Sequence, residues 1–361
     1  MAIARIAFSD FRNHAASALE GTARFNLLVG ENGAGKTNVL EALSLLAPGR
    51  GLRRAPLGEI ARASGAGGFA LSALLSPADG GEDVHLQTST APMRPGRRRV
   101  RINGAEASAI ALGEWLAVSW LTPAMDGLFT ASAGERRRFM DRLATALDPS
   151  HARAASRYEA ALRERNRLLS DEREPEPAWL DGIEAQLAQH GALLAQGRAR
   201  LVGALGEALE MQAGSPFAVP LLALEAGGPF AEHELAEALR STRQRDRKAA
   251  RTLTGPHRDE LLVHMAAKGR PAALCSTGEQ KAMLIAIVLA HAELAAAGRA
   301  GILLLDEVAA HLDPLRRDAL FDRLRAGGSQ AWLTGTEAAP FGSIRAEAAI
   351  WRVTDGALVR E

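Results

Sequence analysis

The chain opens with short apolar runs: "IARIAFSDF" (3–11) and "ARFNLLVG" (23–30) read as strand, turn, strand. A glycine-rich stretch follows, and then "KTNVLEALSLLA" (36–47), which is apolar at helical spacing. From 69 to 121 the pattern predicts short strands in "FALSALL", "DVHLQT", "RRRVRING" and "WLAVSWL", with turns at "PADGGED" and "ING". Near 127 the character changes. From "ERRRFMDRLATAL" to about 250 the chain reads as long helices rich in Ala, Leu, Arg and Glu, interrupted at "DEREPEPAW" (171–179) and "AGSPFAVPLLALEAGGPF" (213–230). Strand-like and apolar runs return in "DELLVHM", the 283–290 run, "GILLLDE" and "QAWLTGT". A helical block between two α/β stretches predicts an inserted arm at 127–250, with 1–126 and 251–361 assembling one sheet domain.

Composition narrows the classes. The 361 residues are 47% apolar, enough for an ordinary buried core, and the net charge of +1 means that any polyanion-binding surface is local. The single cysteine, Cys275, forms no internal disulfide, which fits a reducing compartment. The N-terminal segment has no apolar signal core, and the longest apolar run, "AMLIAIVLA" (282–290), is short of a membrane span. The expectation is a cytoplasmic protein without a membrane partner. The nine histidines lack zinc-ligand spacing, so no metal site of His and Cys is expected.

The chemistry begins at "GENGAGKT" (30–37), which fits G-x-x-x-x-G-K-[ST] between a strand and a helix. Gly30, Gly33 and Gly35 let backbone N–H groups close on phosphate oxygens. Lys36 supplies a charge at the β/γ-phosphates, and the Thr37 hydroxyl is a ligand for Mg²⁺. "ILLLDE" (302–307) reads as a buried parallel strand ending in a second Mg²⁺ ligand, Asp306, and in Glu307, placed to polarise the attacking water. No guanine-recognition motif is present, which favours ATP. Between these lies "STGEQ" (276–280) at the start of a helix. Ser276 reads either as a helix cap or, with Gly278, as an anion site at a helix N-terminus.

The order of glycine loop, Ser-x-Gly-Glu-Gln, Asp-Glu strand and "HLDP" is that of an ABC-type ATPase. More specifically, "FSDFRNHAA", "NLLVGENGAGKTNVLEAL", "LFTASAGERRRFMD", "ARTLTGPHRDEL", "STGEQK" and "LLLDEVAAHLD" resemble, in that order, segments of the RecF family. The resemblance implies an SMC head-like P-loop ATPase domain with an inserted, mainly helical arm. It also implies ATP and Mg²⁺ as cofactors, an ATP-dependent homodimer with slow hydrolysis, and DNA binding at gapped or single-stranded/duplex junctions. Recombinase loading with RecO- and RecR-type mediators and support of the SOS response come with it. By that resemblance Arg12 approaches the phosphates and Asn32 the γ-phosphate region, and Glu31, Ala34 and Asn38 also belong to the nucleotide-binding set. Ser276, Gly278 and Glu279 then cap the nucleotide of the other protomer, with Asp313 crossing the same interface.

One position departs from many ABC proteins: "WLTGTE" offers Gly335 or a threonine where a phosphate-sensing histidine is common. A transporter ATP-binding subunit shares the motifs, but 240 residues separate Lys36 from Ser276 and leave room for an arm such subunits do not usually contain. An SMC-like structural ATPase needs a sustained heptad coiled coil, which the interrupted arm does not offer, and a P-loop kinase gives no reason for Ser276–Glu279. Three basic clusters are candidate phosphate-tracking surfaces or plain solvated faces: Arg97, Arg98, Arg99 and Arg101; "ERRR" (135–138); and "RSTRQRDRKAAR" (240–251). His257, Arg258 and Asp259 carry no assigned role.

Overall fold

The computed structural model describes residues 1–361 apart from 78–79, 174, 212–216, 297 and 310–311. Parts of the turns expected at 77–83 and 171–179, of the interruption at 213–230 and of the "AHLDP" segment therefore lie outside the described residues.

In chain order the first half carries β1 (Ala2–Phe11), β2 (His14–Glu20), β3 (Phe25–Val29), α1 (Lys36–Ser44), β4 (Ala70–Ser76), β5 (Val84–Ala91), β6 (Arg94–Ile102), β7 (Ala105–Ala107), α2 (Leu112–Trp115) and β8 (Leu116–Leu121). Next come α3 (Ala133–Leu147), α4 (Ser150–Ser170), α5 (Pro177–Glu210), β9 (Pro220–Glu225), α6 (Glu232–Ser241), α7 (Arg243–Lys248), β10 (Glu260–Met265) and β11 (Arg270–Pro271). The chain ends with α8 (Thr277–Ala295), β12 (Ala300–Leu305), α9 (Pro314–Ala326), β13 (Gln330–Gly335), β14 (Ala348–Thr354) and β15 (Ala357–Arg360).

Met1–Asp126 and Leu284–Glu361 make up nearly all of one compact unit, and most of Gly127–Met283 makes up the other. The first contains a six-stranded antiparallel sheet in the order β2-β1-β4-β5-β6-β7 and a second six-stranded sheet in the order β15-β14-β3-β13-β12-β8. In the latter, β14, β3, β13, β12 and β8 run parallel. Strands β3, β12 and β13 are buried along their whole length, as continuous apolar runs in a parallel sheet should be. Each buried leucine of β12 contributes on the order of 1.5–3 kcal/mol of transfer free energy.

The second unit holds α3–α7 and the small sheet β11-β10-β9. Its core is Tyr158, Leu187, Leu194, Leu235 and Leu239 with their neighbours, the apolar faces of α4, α5 and α6. The expected return to the sheet domain at 251 falls later, at Leu284, because β10 pairs antiparallel with β9 from Glu260↔Glu225 to Met265↔Pro220. Helix α8 therefore begins in the second unit and runs into the first. From Ala282 to Ala290 every residue of it is buried, which explains its lack of a polar face.

Candidate nucleotide site

Topology sets the site. Strand β13 lies between β3 and β12, so the carboxyl ends of three adjacent parallel strands meet at one edge, where open α/β sheets bind ligands. The loop after β3 carries the phosphate motif, β13 ends in Thr334 and Gly335, and Asp306 follows β12.

The loop is built to expose backbone. Gly35 takes φ +114°, and a Cβ there would lie 2.7 Å from Asn13 Oδ1 and 2.8 Å from His14 Nε2. At Gly30 a Cβ would meet the Val353 carbonyl. Asn13 Nδ2 donates to the Ala34 carbonyl at 3.0 Å, the Gly356 amide donates to the same oxygen at 2.9 Å, and His14 Nε2 lies 3.2 Å from the Gly35 carbonyl. Glu31, Asn32 and Gly33 form the exposed tip. Lys36 is buried, and its Nζ donates to the Gly30 and Glu31 carbonyls at 2.7 and 2.9 Å. Burial pulls the Lys36 ammonium below the usual lysine range, while nearby Glu307 and Asp306 oppose that shift.

Thr37 Oγ1 donates to the Asp306 carboxylate, 2.9 Å from Oδ1 and 3.1 Å from Oδ2. Thr334 Oγ1 donates to Asp306 Oδ1 at 2.9 Å and accepts the Glu307 N–H at 2.8 Å. Burial raises the Asp306 carboxyl above the usual carboxylate range, against the two hydroxyl hydrogen bonds that favour its ionised form. Glu307 sits at φ +54°, a left-handed conformation that costs about 1–3 kcal/mol in a residue other than glycine and tends to persist at functional sites. A hard oxygen set of one hydroxyl and one carboxylate beside phosphate-facing amides fits Mg²⁺, which keeps several waters and takes few protein ligands. Among the described residues no cluster of three or more His, Cys, Asp or Glu offers another metal site.

Arg12, expected at the phosphates, grips the buried Glu41 of α1 with Nε and Nη2, at 2.8 and 2.6 Å. Arg53 reaches the same carboxylate at 2.8 Å and also donates to Asn38 Oδ1 at 2.6 Å, while Asn38 Nδ2 donates to Asn13. Asn13, His14 and Glu41, which lie in the quoted segments but carried no assigned role there, join the site together with Arg53 and Thr334. Thr334 carries a signal, since it is polar inside an apolar strand. The others lie on separate elements that only the fold brings together.

Ser276 and Glu279 form a capping box: the Ser276 amide donates to Glu279 Oε2 at 2.9 Å, and the Glu279 amide to Ser276 Oγ at 3.4 Å. Lys268 pairs with Glu279, and this pairing with the Ser276 bonds holds the carboxyl down at about 2. Ser276 and Gly278 are exposed, and nothing lies within 4 Å of a Cβ built on Gly278. Asp313 is exposed and caps α9, its Oδ1 accepting the Arg316 amide at 3.0 Å.

The arginine cluster of β6 divides by strand alternation. Arg97, Arg99 and Arg101 face solvent, whereas Arg98 turns inward. It donates to Thr88 Oγ1 at 2.7 Å, to the Gly49 carbonyl at 2.9 Å and to the Leu45 carbonyl beyond the end of α1. Burial lowers it to about 10. Arg98 therefore leaves the candidate DNA surface. In "ERRR", Arg136 is likewise committed, forked onto Glu260 at 2.6 and 2.7 Å.

A model of the RecF/RecN/SMC N terminal domain matches residues 2–347. The chain is 47% identical to the DNA replication and repair protein RecF of Rhizobium leguminosarum bv. trifolii, over 99% of this chain and 98% of that one. It is 48% identical to that of Mesorhizobium japonicum, over 98% and 96%. Among solved structures, the recombination mediator protein RecF with ATP superposes with a TM-score of 0.84 at 22% identity, covering 100% of this chain and 97% of that one. The Smc head domain of Pyrococcus furiosus gives 0.56 at 17% identity, over 100% and 96%. The fold is thus the expected SMC head-like ATPase fold with a mainly helical insertion, and the chain belongs to the RecF family.

Proposed function

We propose that the chain is an ATP-dependent DNA-binding protein of recombinational DNA repair and replication. It acts in the cytoplasm at gapped or single-stranded/duplex junctions, together with RecO- and RecR-type mediators, to load recombinase and support the SOS response. The observation that carries the nucleotide reading is the convergence of Thr37, in the first turn of the helix after β3, with Thr334 near the end of β13 and Asp306 just past β12, beside a buried lysine. That arrangement is what phosphoryl chemistry needs. No helix of the described residues is long and apolar enough to cross a membrane.

In this reading the loop amides and Lys36 hold the β/γ-phosphates, and Thr37 and Asp306 hold Mg²⁺, which offsets charge on the phosphate oxygens. Glu307 orients the water, its backbone fixed by Thr334. Ser276 and Gly278 meet the nucleotide of a second copy. Two facts support that last assignment. Gly278 sits exposed in a helical first turn, where glycine costs about 1 kcal/mol against alanine, yet nothing in its own unit crowds a side chain there. The helix N-terminus also favours an anion. The exposure of Asp313 and of Leu315, which is 72% exposed, supports the reading that Asp313 also meets the second copy.

The division of roles is tested by nucleotide binding and single-turnover hydrolysis. Lys36→Met should weaken ATP binding at least tenfold. Glu307→Gln should bind within about threefold of the unsubstituted chain and hydrolyse roughly 10²–10⁴ times more slowly. Equal loss of binding in both variants would contradict the assignment.

A further inference from the structure

Seven cations and one acid lie within 240–258, on the end of α6, on α7 and on the loop that follows it. Structure separates the cations that are used internally from those that are not. Asp246 is fully buried, and its carboxylate accepts from Arg165 at 2.7 Å. Arg243 is taken by Glu184 and Asp181, Arg240 lies 3.6 Å from Asp181, and Arg247 donates to the Asp171 and Glu172 carbonyls. Arg245 makes one bond, to Thr254 Oγ1 at 3.1 Å, which ties α7 to the loop. Lys248, Arg251 and Arg258 are exposed, and their side chains make no hydrogen bond or ion pair among the described residues.

Arg258 is displayed by anchored neighbours. On one side, Asp259 is buried, accepting Arg198 Nη1 at 2.9 Å and the Gly227 amide at 2.8 Å. On the other, His257 is clamped between the Thr252 carbonyl at 3.0 Å and the Tyr158 hydroxyl at 2.7 Å. A carbonyl only accepts, so Nε2 carries the proton and Nδ1 receives the Tyr158 O–H. Two inward-turned residues thus fix the backbone on either side of Arg258 and leave its side chain exposed, so the loop's ordering cost is already met while the guanidinium stays available.

We infer that Arg245, Lys248, Arg251 and Arg258 form a surface for the sugar–phosphate backbone of DNA. The inference rests on the DNA-binding reading above and gives it a location in the second unit. An acidic protein would match the charge, but a protein-docking patch usually carries aromatic or aliphatic residues at its centre. The exposed residues among these cations are Gln244, Ala249 and Ala250, and the one aliphatic side chain of any size, Leu253, is half-buried, so the patch has no exposed apolar centre.

The test is the salt dependence of DNA binding by the full chain, read by anisotropy on a gapped duplex between about 50 and 200 mM salt. Changing all four cations to Gln should lower the magnitude of the log–log slope by about 3–4, since each phosphate neutralised on duplex DNA accounts for about 0.9. Arg258→Gln alone should lower it by about 1. ATP binding and the unfolding midpoint serve as folding controls and should move little, because the altered groups are exposed and only Arg245 gives up a hydrogen bond, an exposed one to Thr254. A steep slope in the unsubstituted chain that persists in the fourfold variant would overturn this surface. Absence of salt-dependent binding in the unsubstituted chain would instead overturn the DNA reading itself.

Discussion

The Thr334 hydroxyl donates to Asp306 Oδ1 at 2.9 Å while accepting the Glu307 N–H at 2.8 Å. One side chain near the end of β13 therefore orients both acidic residues that follow β12. It also stabilises the left-handed backbone at Glu307. Thr334→Val keeps the shape and removes both bonds. The fold should lose about 1–3 kcal/mol, because a buried carboxylate and an amide are each left short of a partner. Hydrolysis should fall at least tenfold, with ATP affinity changed less than threefold, as seen by comparing equilibrium binding with single-turnover rates. Equal losses of affinity and rate would mean that Thr334 supports the loop and not the two acids.

Strand alternation makes the β6 arginines separable. Arg98 satisfies carbonyls just beyond α1, so Arg98→Ala should destabilise the chain by about 1–3 kcal/mol and leave the salt slope of DNA binding unchanged. Changing Arg97, Arg99 and Arg101 to Ala should do the reverse, with little effect on denaturation and a shallower slope if β6 touches phosphates. Denaturant titration paired with anisotropy reads both effects. A slope that changes with Arg98→Ala but not with the outer three would contradict the division.

Three histidines give stability a pH dependence of defined sign. His14, His190 and His257 all lie below the usual histidine value of 6.5, chiefly because burial disfavours the charged ring. Around His257, Arg258 and Arg137 push the same way and Asp259 opposes them. The unfolded chain takes up protons at higher pH than the folded one, so this contribution is complete above about pH 7 and declines as pH falls below about 6.5. The unfolding midpoint should therefore drop between about pH 7.5 and 5.5, and His257→Gln should make that drop shallower. A midpoint that rises on acidification over this range would refute the assignment.

Much of the fold and site is legible in the residues. The glycine loop, the apolar strand ending in Asp306-Glu307 and the serine before α8 are each marked by local chemistry at a fixed spacing. Strand β2 is not, because "HAASALE" has no β-branched or aromatic residue and is held by pairing with β1. The β14–β15 hairpin has a short-range signal in Asp355-Gly356, both at positive φ, although its strands carry no strict alternation. The boundary expected at 250 lies at 284 because a strand's own pattern does not say which sheet it joins. The outer layer of the site, Asn13, His14, Glu41 and Arg53, depends on long-range approach, so even where these residues lie in recognisable segments the linear sequence assigns them no role.

The central claim is that each nucleotide site is completed by Ser276 of a second copy. It is tested most directly by ATP-dependent sedimentation of Lys36→Met, Ser276→Arg and their equimolar mixture. Ser276→Arg should bind ATP nearly as well as the unsubstituted chain, yet stay monomeric, because the bulky cation blocks the face that receives the partner's nucleotide. Lys36→Met should stay monomeric for want of nucleotide. A heterodimer of the two has one doubly altered site and one intact site, so the mixture should recover ATP-dependent association that neither variant shows alone. A Ser276→Arg chain that dimerises with ATP as the unsubstituted chain does would contradict the claim and leave Ser276 as a helix cap.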